Sequence, residues 1–540
     1  MSRVASSNLR YNVDHLAVNS NALFAWGWMF DTRAPLLDIR LRLTLSDGRI
    51  VDQPLRHGAF RADVRDVFPH TETASASGFI VSAAWRGALL RHADLLAIDS
   101  DGMAHQVTIW RTPAASRAWK GARIGHALLS LGSLSRKAMG LARRGQFMVL
   151  KEKARRYLAN RPTRVADPIE HLRHALRASG GAPAWLVVDH DLGGGAPQYR
   201  RQLIERHVKA GGTALLLTFH VPTLRYALQV YGATPSVRVA LSRLEALRGL
   251  AREGLLGDIF FNNAVSFSEP EQIPGMLVDL HAITRGKLTL AAHDYQMLCP
   301  SHFLLDAEGG FCGLPAETVC RQCLANTTEG FVSFYPARDI VRWRQAWRHL
   351  IDDADSILFF SQSTLELYRR VFPDLLLLKA SVQPHRMDYF PARSHCATPG
   401  GALHLGVAGN LGRHKGAGIV ARLARYVDEH GLDVRITVFG LIEEPVPASV
   451  VRVTGAYTHD ELPELIRSSG VNLLFVPSIF PETFSYVTHE LMLTDMPVVA
   501  FDLGAQAEAL RSYVRGRVIA FAEGEALLGA LLAVHAQFIT

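Results

Sequence analysis

Residues 403–416 read Leu-His-Leu-Gly-Val-Ala-Gly-Asn-Leu-Gly-Arg-His-Lys-Gly. An apolar run of strand length opens this stretch, a glycine-rich turn carrying Arg413 and Lys415 follows, and a helical pattern starts near residue 417. Free backbone amides at a helix start, next to two cations, can hold a diphosphate. The alternative is an ordinary turn between a strand and a helix, and this stretch alone leaves both open.

The same alternation of apolar runs and helical patterns continues on both sides of this stretch. Further apolar runs of strand length lie at 185–189, 213–218, 257–261, 288–292, 356–360, 434–439, 471–476 and 497–501. Strands that alternate with helices predict parallel, doubly wound sheets. A Pro- and Gly-containing break at 391–401 divides the series. We therefore predict an α/β fold with two Rossmann-like domains, 168–395 and 396–540, facing one cleft.

The N-terminal part follows a different pattern. Residues 1–112 contain alternating runs such as 37–45, followed by the turn signal Ser46-Asp-Gly48, and turns recur about every ten residues. This pattern predicts a small β-sandwich ahead of the two α/β domains.

The segment that joins them, 113–167, is strongly basic. Residues 116–166 contain thirteen Lys or Arg and one acidic residue, whereas the whole chain has a formal net charge of +8. Apolar residues recur among these cations at roughly helical spacing, which is typical of a helix on an anionic membrane surface. A solvated linker whose apolar side packs on a domain is an equal alternative. The segment has few aromatic residues and matches no nucleic-acid-recognition motif, which argues against nucleic-acid binding.

Composition excludes several classes of protein. A chain of 540 residues with 48% hydrophobic residues is too apolar for general disorder, and its apolar runs are too short to span a membrane. Five cysteines do not describe a disulfide scaffold, and the N-terminal residues lack the apolar region of a signal peptide. We expect a cytoplasmic protein.

A second motif follows the run at 471–476. Residues 477–490 read Pro-Ser-Ile-Phe-Pro-Glu-Thr-Phe-Ser-Tyr-Val-Thr-His-Glu, with Glu482 on a loop and Glu490 inside a helix that we expect to start near Phe484. One carboxylate could reach sugar hydroxyls and the other a ribose, with phosphate oxygens on the amides between them. Two glutamates at this spacing also occur by chance.

Four motifs in this order resemble the donor domain of family 4 glycosyltransferases of the GT-B fold. They are Gly-x-Leu-x-x-x-Lys-Gly at 409–416, Tyr-Thr-His-Asp-Glu-Leu at 457–462, Pro-Ser to Glu at 477–490, and Pro-Val-Val at 497–499. Residues 61–79 resemble, more loosely, an accessory β-domain of bacterial polysaccharide glycosyltransferases. The resemblance implies a nucleotide-diphosphate sugar as donor.

The resemblance also implies roles for particular residues. Lys415 and Arg413 would hold the diphosphate, Glu482 would contact the donor sugar at the catalytic centre, and Glu490 would contact the ribose. The other donor-binding residues implied in this domain are Gly409, Thr483, Phe484, Ser485 and Tyr486. The family often has Arg directly after the first glycine, where this chain has Asn410, and Arg413 is the candidate to compensate.

Two loops of the first α/β unit agree with this resemblance. Residues 191–195 read Asp-Leu-Gly-Gly-Gly, so that Gly194 and Gly195 would approach the donor phosphate and the acceptor. Residues 292–295 read Ala-His-Asp-Tyr, and His293 would touch the donor sugar or the reacting centre. A capping or core role is the alternative for His293.

The resemblance implies transfer with retention of anomeric configuration, usually read as a front-face reaction. The leaving diphosphate would take the acceptor's proton, while the protein supplies positive charge and orientation. No divalent metal is needed for transfer if Lys415, Arg413 and the helix amides neutralise the diphosphate.

Four of the cysteines lie close together in the sequence. Cys299, Cys312, Cys320 and Cys323 could form a structural zinc site in a reducing compartment, and four reduced thiols or a labile disulfide are the alternatives. Only half of the usual paired Cys-x-x-Cys pattern is present.

The combined prediction is a glycosyltransferase of surface-polysaccharide synthesis. It would move a sugar from its nucleotide donor to a growing polysaccharide or lipid-linked glycan, peripheral to the inner face of the membrane. An epimerase or phosphorylase on the same fold is one alternative, and a non-catalytic carbohydrate-binding scaffold is another.

Overall fold

The computed structural model describes residues 8–112, 167–179, 183–192, 195–232, 236–374, 379–391 and 401–538. Within these ranges the predicted fold class is confirmed, with an antiparallel β-domain followed by two α/β domains. The predicted basic linker lies outside the described residues, except for Asp167, whose carboxylate caps the next helix. No helix among the described residues is both long and apolar enough to cross a membrane.

Two four-stranded antiparallel sheets form the β-domain. Its strands are β1 Leu9–Val18, β2 Ala22–Asp31, β3 Leu36–Leu45, β4 Ile50–Pro54, β5 Arg56–Ala59, β6 Gly78–Ala84, β7 Leu90–Asp99 and β8 Ala104–Arg111, with helix α1 at Ala62–Val67. One sheet has the order β1-β2-β6-β5 and the other β4-β3-β7-β8. Leucine and alanine side chains from alternating positions fill the space between them, as the alternating sequence pattern predicts.

The first α/β domain contains one eight-stranded sheet. Its strands are β9 Ala184–Val188, β10 Ala214–His220, β11 Arg225–Tyr231, β12 Val237–Leu241, β13 Leu256–Phe261, β14 Leu288–Ala291, β15 Ser356–Phe359 and β16 Ala380–Val382. Its helices are α2 Pro168–Ala178, α3 Gly195–Lys209, α4 Ala246–Arg252, α5 Ile273–Thr284, α6 Glu317–Asn326, α7 Ile340–Asp353 and α8 Gln362–Val371. The strand order is β12-β11-β10-β9-β13-β14-β15-β16, and β11 and β12 form an antiparallel edge that the sequence pattern did not predict.

The second α/β domain has a six-stranded, fully parallel sheet. Its strands are β17 His404–Leu411, β18 Arg435–Ile442, β19 Val451–Val453, β20 Leu473–Val476, β21 Val498–Phe501 and β22 Gly516–Ile519. Its helices are α9 Ala417–Glu429, α10 Leu462–Ser469, α11 Tyr486–Met492, α12 Gly504–Arg511 and α13 Gly524–His535. The order is β19-β18-β17-β20-β21-β22, so the strands continuing into the two predicted motifs, β17 and β20, are neighbours.

Direct contacts join the three domains. Phe24 of the β-domain is buried in the same apolar core as the first α/β domain. Across the cleft, the Glu508 carboxylate of the second α/β domain accepts hydrogen bonds from the backbone N–H groups of Gln362 (3.0 Å) and Ser363 (2.7 Å), at the start of α8. These bonds satisfy amides that a helix leaves free at its N-terminus. The carboxyl ends of both sheets therefore meet at one cleft.

Candidate functional site

The glycine turn after β17 brings the two motifs of the second domain together. Gly409 and Gly416 have φ angles of 111° and 83°, in the region that favours glycine. A side chain at Gly416 would place its Cβ 2.0 Å from the carbonyl oxygen of Pro477. The turn at Arg413–Lys415 can pack directly on the loop after β20 because Gly416 has no side chain.

This packing places Lys415 against Glu482. The Lys415 ammonium lies 2.6 Å from one carboxylate oxygen of Glu482, and the Ser478 hydroxyl contacts the other. The Glu482 side chain is 8% exposed, so the ion pair is largely shielded from water. The Glu482 N–H donates to Gln506 (3.0 Å), which in turn donates to the Phe480 carbonyl (2.9 Å) and fixes the loop.

The second carboxylate, Glu490, is held by two side chains that were not predicted as site residues. Its Oε1 atom accepts a hydrogen bond from the Tyr389 hydroxyl at 2.6 Å and lies 2.9 Å from Nδ1 of His459. The hydrogen bond to Glu490 raises the pKa of His459, and burial followed by the Glu490 charge raises that of Tyr389. His459 belongs to the Tyr-Thr-His-Asp-Glu-Leu motif, which was the available signal.

The residues between the two glutamates begin a short helix. α11 begins at Tyr486 rather than near Phe484, because Ser485 has a left-handed backbone with φ 64°. The Ser485 hydroxyl lies 2.8 Å from that of Thr488. The Thr483 hydroxyl crosses the cleft and donates to the carbonyl oxygen of His293 at 2.9 Å. The two predicted catalytic loops therefore touch.

His293 is an uncharged group in an aromatic cluster. Its ring stacks on Phe360 with centroids 4.3 Å apart, and among the described residues its buried Nε2 atom has no hydrogen-bond partner. Burial is the main reason that the pKa of His293 lies well below its ordinary value, and His385 and His190 add to it. A neutral imidazole with a free nitrogen can give or take a hydrogen bond at the cleft.

His385 is a further site residue that sequence reasoning missed. Its ring stacks on Phe360 (4.0 Å) from the first domain and on Tyr486 (4.9 Å) from the second. Burial, with a smaller effect of His489, lowers the pKa of His385 to about 3. Its Nδ1 is buried without a partner in the part of the chain that the structure describes. His385 follows β16, a three-residue strand too short to be recognised from its pattern.

Two buried carboxyl groups of the first domain also border the cleft. Asp189 is 2.7 Å from Arg200, yet burial raises its pKa to about 6. Burial raises the pKa of Asp294, directly after His293, to about 7 although it accepts hydrogen bonds from Gln296 and Asn263. Asp189 directly follows β9 and Asp294 lies three residues after β14, and a position after a strand was the available signal.

The glycine loop of the first domain is described in part. Gly194 lies outside the described residues, and Gly195 begins α3. A Cβ at Gly195 would lie 2.5 Å from the Tyr486 ring of the second domain. The start of α3 therefore approaches the donor motif of the second domain, and the role of Gly194 and Gly195 toward the donor phosphate stays a prediction.

Arg413 points away from the turn that carries it. Its guanidinium pairs with Glu329 at 2.7 Å and donates to the Glu308 carbonyl at 3.1 Å, both in the first domain. The next residue, His414, stacks on Phe303 with centroids 4.2 Å apart. Diphosphate binding by Arg413 stays a prediction, and it requires the guanidinium to leave Glu329.

No disulfide joins the four described cysteines, which share one region. Cys299 and Cys320 pack in the same apolar cluster, and burial raises the pKa of the Cys323 thiol to about 11. Within the described ranges, three or more metal-ligating atoms lie within 4.8 Å of one another only at Asp31, Asp99 and His105 of the β-domain. Zinc binding by the cysteines stays a prediction.

A comparison with known protein families matches the second α/β domain. Residues 402–537 match the family described as glycosyl transferases group 1. No curated protein matches the sequence.

Three solved structures are similar in outline. HepE from Anabaena, in complex with UDP, is 14% identical over 65% of this chain and 89% of its own, with a TM-score of 0.40. Sucrose-phosphate synthase from Thermosynechococcus elongatus is 15% identical over 66% and 92%, with a TM-score of 0.42. The lipopolysaccharide outer core galactosyltransferase WaaB, in its apo form, is 9% identical over 66% and 91%, with a TM-score of 0.41. At these TM-scores the likeness says nothing about what this chain binds.

The matched domain, in a chain with two α/β domains facing one cleft, defines the class of protein. It is an enzyme, a glycosyltransferase.

Proposed function

We propose that the protein transfers a sugar from a nucleotide-diphosphate donor to a growing surface polysaccharide or lipid-linked glycan, with retention of anomeric configuration. The observation that carries the donor assignment is the shielded Lys415–Glu482 pair, 2.6 Å apart, beside a glycine turn and a helix start. A cation and free backbone amides at one place suit a diphosphate.

Each polar group of the site has a part in this proposal. Lys415 and the amides before α9 stabilise the negative charge that grows on the leaving diphosphate. Glu490, oriented by Tyr389 and His459, binds the ribose hydroxyls. Glu482 accepts hydrogen bonds from the donor sugar, and neutral His293 contacts the same sugar from the first domain.

Retention is proposed to occur by front-face transfer. The bond between the anomeric carbon and the diphosphate oxygen breaks while the acceptor oxygen bonds to the same face of that carbon. The leaving diphosphate takes the acceptor's proton, so no protein base is required. Because Lys415 supplies the charge at the leaving group, we expect transfer to continue in the presence of EDTA.

A thermal-shift screen of UDP-, GDP- and TDP-sugars tests the donor assignment. A ligand that binds only the folded state, present at 100 times its Kd, stabilises that state by about 2.7 kcal/mol. We expect one nucleotide sugar to raise the unfolding temperature of the wild type and to lose this effect in Lys415→Ala. The matched control is Lys209→Ala, at the exposed end of α3. A shift that survives in Lys415→Ala would contradict the proposal.

We propose that the basic segment 116–166, outside the described residues, binds the anionic face of a membrane. Each Lys or Arg near such a surface contributes about 1 kcal/mol. Deleting 116–166 should release the protein from vesicles containing phosphatidylserine, while neutral vesicles serve as the control. Continued binding after the deletion would make the segment a linker only.

A further inference from the structure

One row of residues runs straight across the outer sheet of the β-domain. His15 of β1 pairs with Trp26 of β2, Trp26 pairs with Ile80 of β6, and Ile80 pairs with Arg56 of β5. Directly opposed residues of antiparallel strands share one face of a sheet. These four residues, the β-domain row, therefore lie side by side, and three strand spacings make the row about 14 Å long.

The two ends of the row touch different α/β domains. The His15 ring lies 2.8 Å from the carbonyl oxygen of Pro222, directly after β10 in the first domain. The Arg56 guanidinium lies 3.6 Å from Glu443, directly after β18 in the second domain. Both contacts are at the carboxyl ends of strands, where parallel sheets bind ligands. The row therefore bridges the two ligand-binding edges.

Each end of the row lies near a histidine at the carboxyl edge of one of the α/β sheets. Burial lowers the pKa of His220, and Asp191, Arg238 and His15 all lie close enough to act on it. Burial lowers the pKa of His414, in the turn at Arg413–Lys415, to about 3. The charges of Lys415, His302 and Arg56 lower it further. The Glu443 carboxylate also lies beside Gly412, in the same turn.

The middle of the row is partly exposed. On the same face, Phe24 is packed into the core of the first α/β domain on one side of the row. On the other side, Trp28 is covered by Phe68, with ring centroids 6.1 Å apart. Between them Trp26 is partly exposed, although it packs against that same core and the His15 ring stacks on it at 4.2 Å. Ile80 is 50% exposed. The exposed part of the row therefore lies between its contacts with the two α/β domains.

We propose that the β-domain row binds the acceptor glycan and guides its growing end into the cleft. This inference rests on the proposed function and names the part of the acceptor site that lies outside the α/β domains. Sugar rings have apolar C–H faces that pack on Trp26 and Ile80, and their hydroxyl rims can bond to the flanking His15 and Arg56.

The chemistry of the row favours a glycan over a protein partner. A stable protein interface buries about 800 Å² on each partner. The open part of the row offers one partly exposed Trp and one half-exposed Ile, with hydrogen-bonding groups at both ends. That arrangement of an apolar centre and a few convergent polar groups suits a narrow, hydroxyl-rich chain.

Two assays on the full-length protein test the proposal. The first is binding to an immobilised panel of neutral and uronic-acid-containing oligosaccharides. The second measures transfer to the retained oligosaccharides from the nucleotide sugar found in the thermal screen, together with donor hydrolysis without acceptor. The variants are Ile80→Asp and Trp26→Ala. The matched control is Ile50→Asp, on the other sheet of the β-domain, where Ile50 is 60% exposed.

We expect the wild type and Ile50→Asp to retain the same oligosaccharides, and Ile80→Asp and Trp26→Ala to bind them at least about tenfold more weakly. The acceptor KM should rise by the same factor while donor hydrolysis is unchanged. Unchanged oligosaccharide binding and KM in both row variants would overturn the inference, as would a wild-type dimer that Ile80→Asp dissociates. Loss of donor hydrolysis in every protein, wild type included, would count against the proposed function instead.

Discussion

The ligand-binding edges of the two α/β domains differ in charge. The second domain presents ionic groups, in the Lys415–Glu482 pair and in Glu490 with His459. The first presents stacked rings, with the pKa of His293 well below its ordinary value. A departing diphosphate needs fixed positive charge, whereas a sugar ring needs uncharged hydrogen-bonding groups and an apolar wall. We infer that Lys415 of the second domain acts on the leaving group, while the first domain contacts the acceptor and, together with Glu482, the donor sugar.

Removing the carboxylate at the charged edge should have the largest effect. Glu482→Gln keeps the side-chain shape but breaks the ion pair with Lys415, and we expect transfer to fall at least about a hundredfold. The nucleotide should still bind, because Lys415 and the amides remain. Steady-state transfer and nucleotide titration measure the two effects, with Glu525→Gln on exposed α13 as the control. Near-wild-type turnover in Glu482→Gln would remove Glu482 from the mechanism.

Removing the cation should weaken donor binding more than turnover. Lys415→Ala deletes a charged hydrogen-bond donor, which contributes about 1.5–3 kcal/mol, so Kd should rise about ten- to a hundredfold. Calorimetric titration with the nucleotide diphosphate alone measures this effect, with Lys209→Ala as the control. An unchanged Kd would show that the diphosphate binds elsewhere. The proposed difference between the charged second edge and the uncharged first edge would then have no role in donor binding.

A pH series tests whether the first edge is held neutral. The pKa of His385 is about 3 in the folded state, below its ordinary value of 6.5, so the unfolded chain binds the proton first as pH falls. Stability is therefore lost between pH 6.5 and about 3, and at pH 5 this single group costs about 2 kcal/mol.

The measurement is the unfolding midpoint at pH 7 and pH 5. His385→Phe keeps an aromatic ring in the stack but cannot take a proton, so we expect it to lose less stability than the wild type. His70→Phe, at an exposed position, should behave as the wild type does. Equal pH dependence of wild type and His385→Phe would show that His385 is not held neutral.

The smallest expected effect concerns an ionic contact between the two edges. Arg413 must leave Glu329 to reach a diphosphate. The pair joins an Arg413 side chain that is 37% exposed to a buried Glu329 side chain, so we expect about 0.5–1 kcal/mol, the upper part of the range for exposed pairs. Glu329→Gln should therefore tighten nucleotide binding about two- to fivefold. Glu308→Gln is the matched control, because Arg413 contacts the backbone carbonyl of Glu308. Weaker nucleotide binding in Glu329→Gln would show instead that the Arg413–Glu329 pair helps hold the two domains together around the cleft.

The amino-acid sequence by itself determined the fold class and most of the charged edge. Glycines at 409 and 416, a helix start and the 477–490 motif are local in the chain, so strand and turn chemistry could be read from short windows. It also indicated His293, through the resemblance of the Ala-His-Asp-Tyr loop at 292–295 to the His-bearing cleft loop of the family.

Tertiary structure alone decided the groups that meet from distant segments. His385 acquires its role from rings of two domains, and Arg413 its partner from a loop 84 positions earlier, Glu329. The β-domain row reaches both edges because strand pairing aligns residues far apart in the chain. Contacts of this kind depend on how elements pack and on the register of paired strands. Neither can be read from the sequence of a single element.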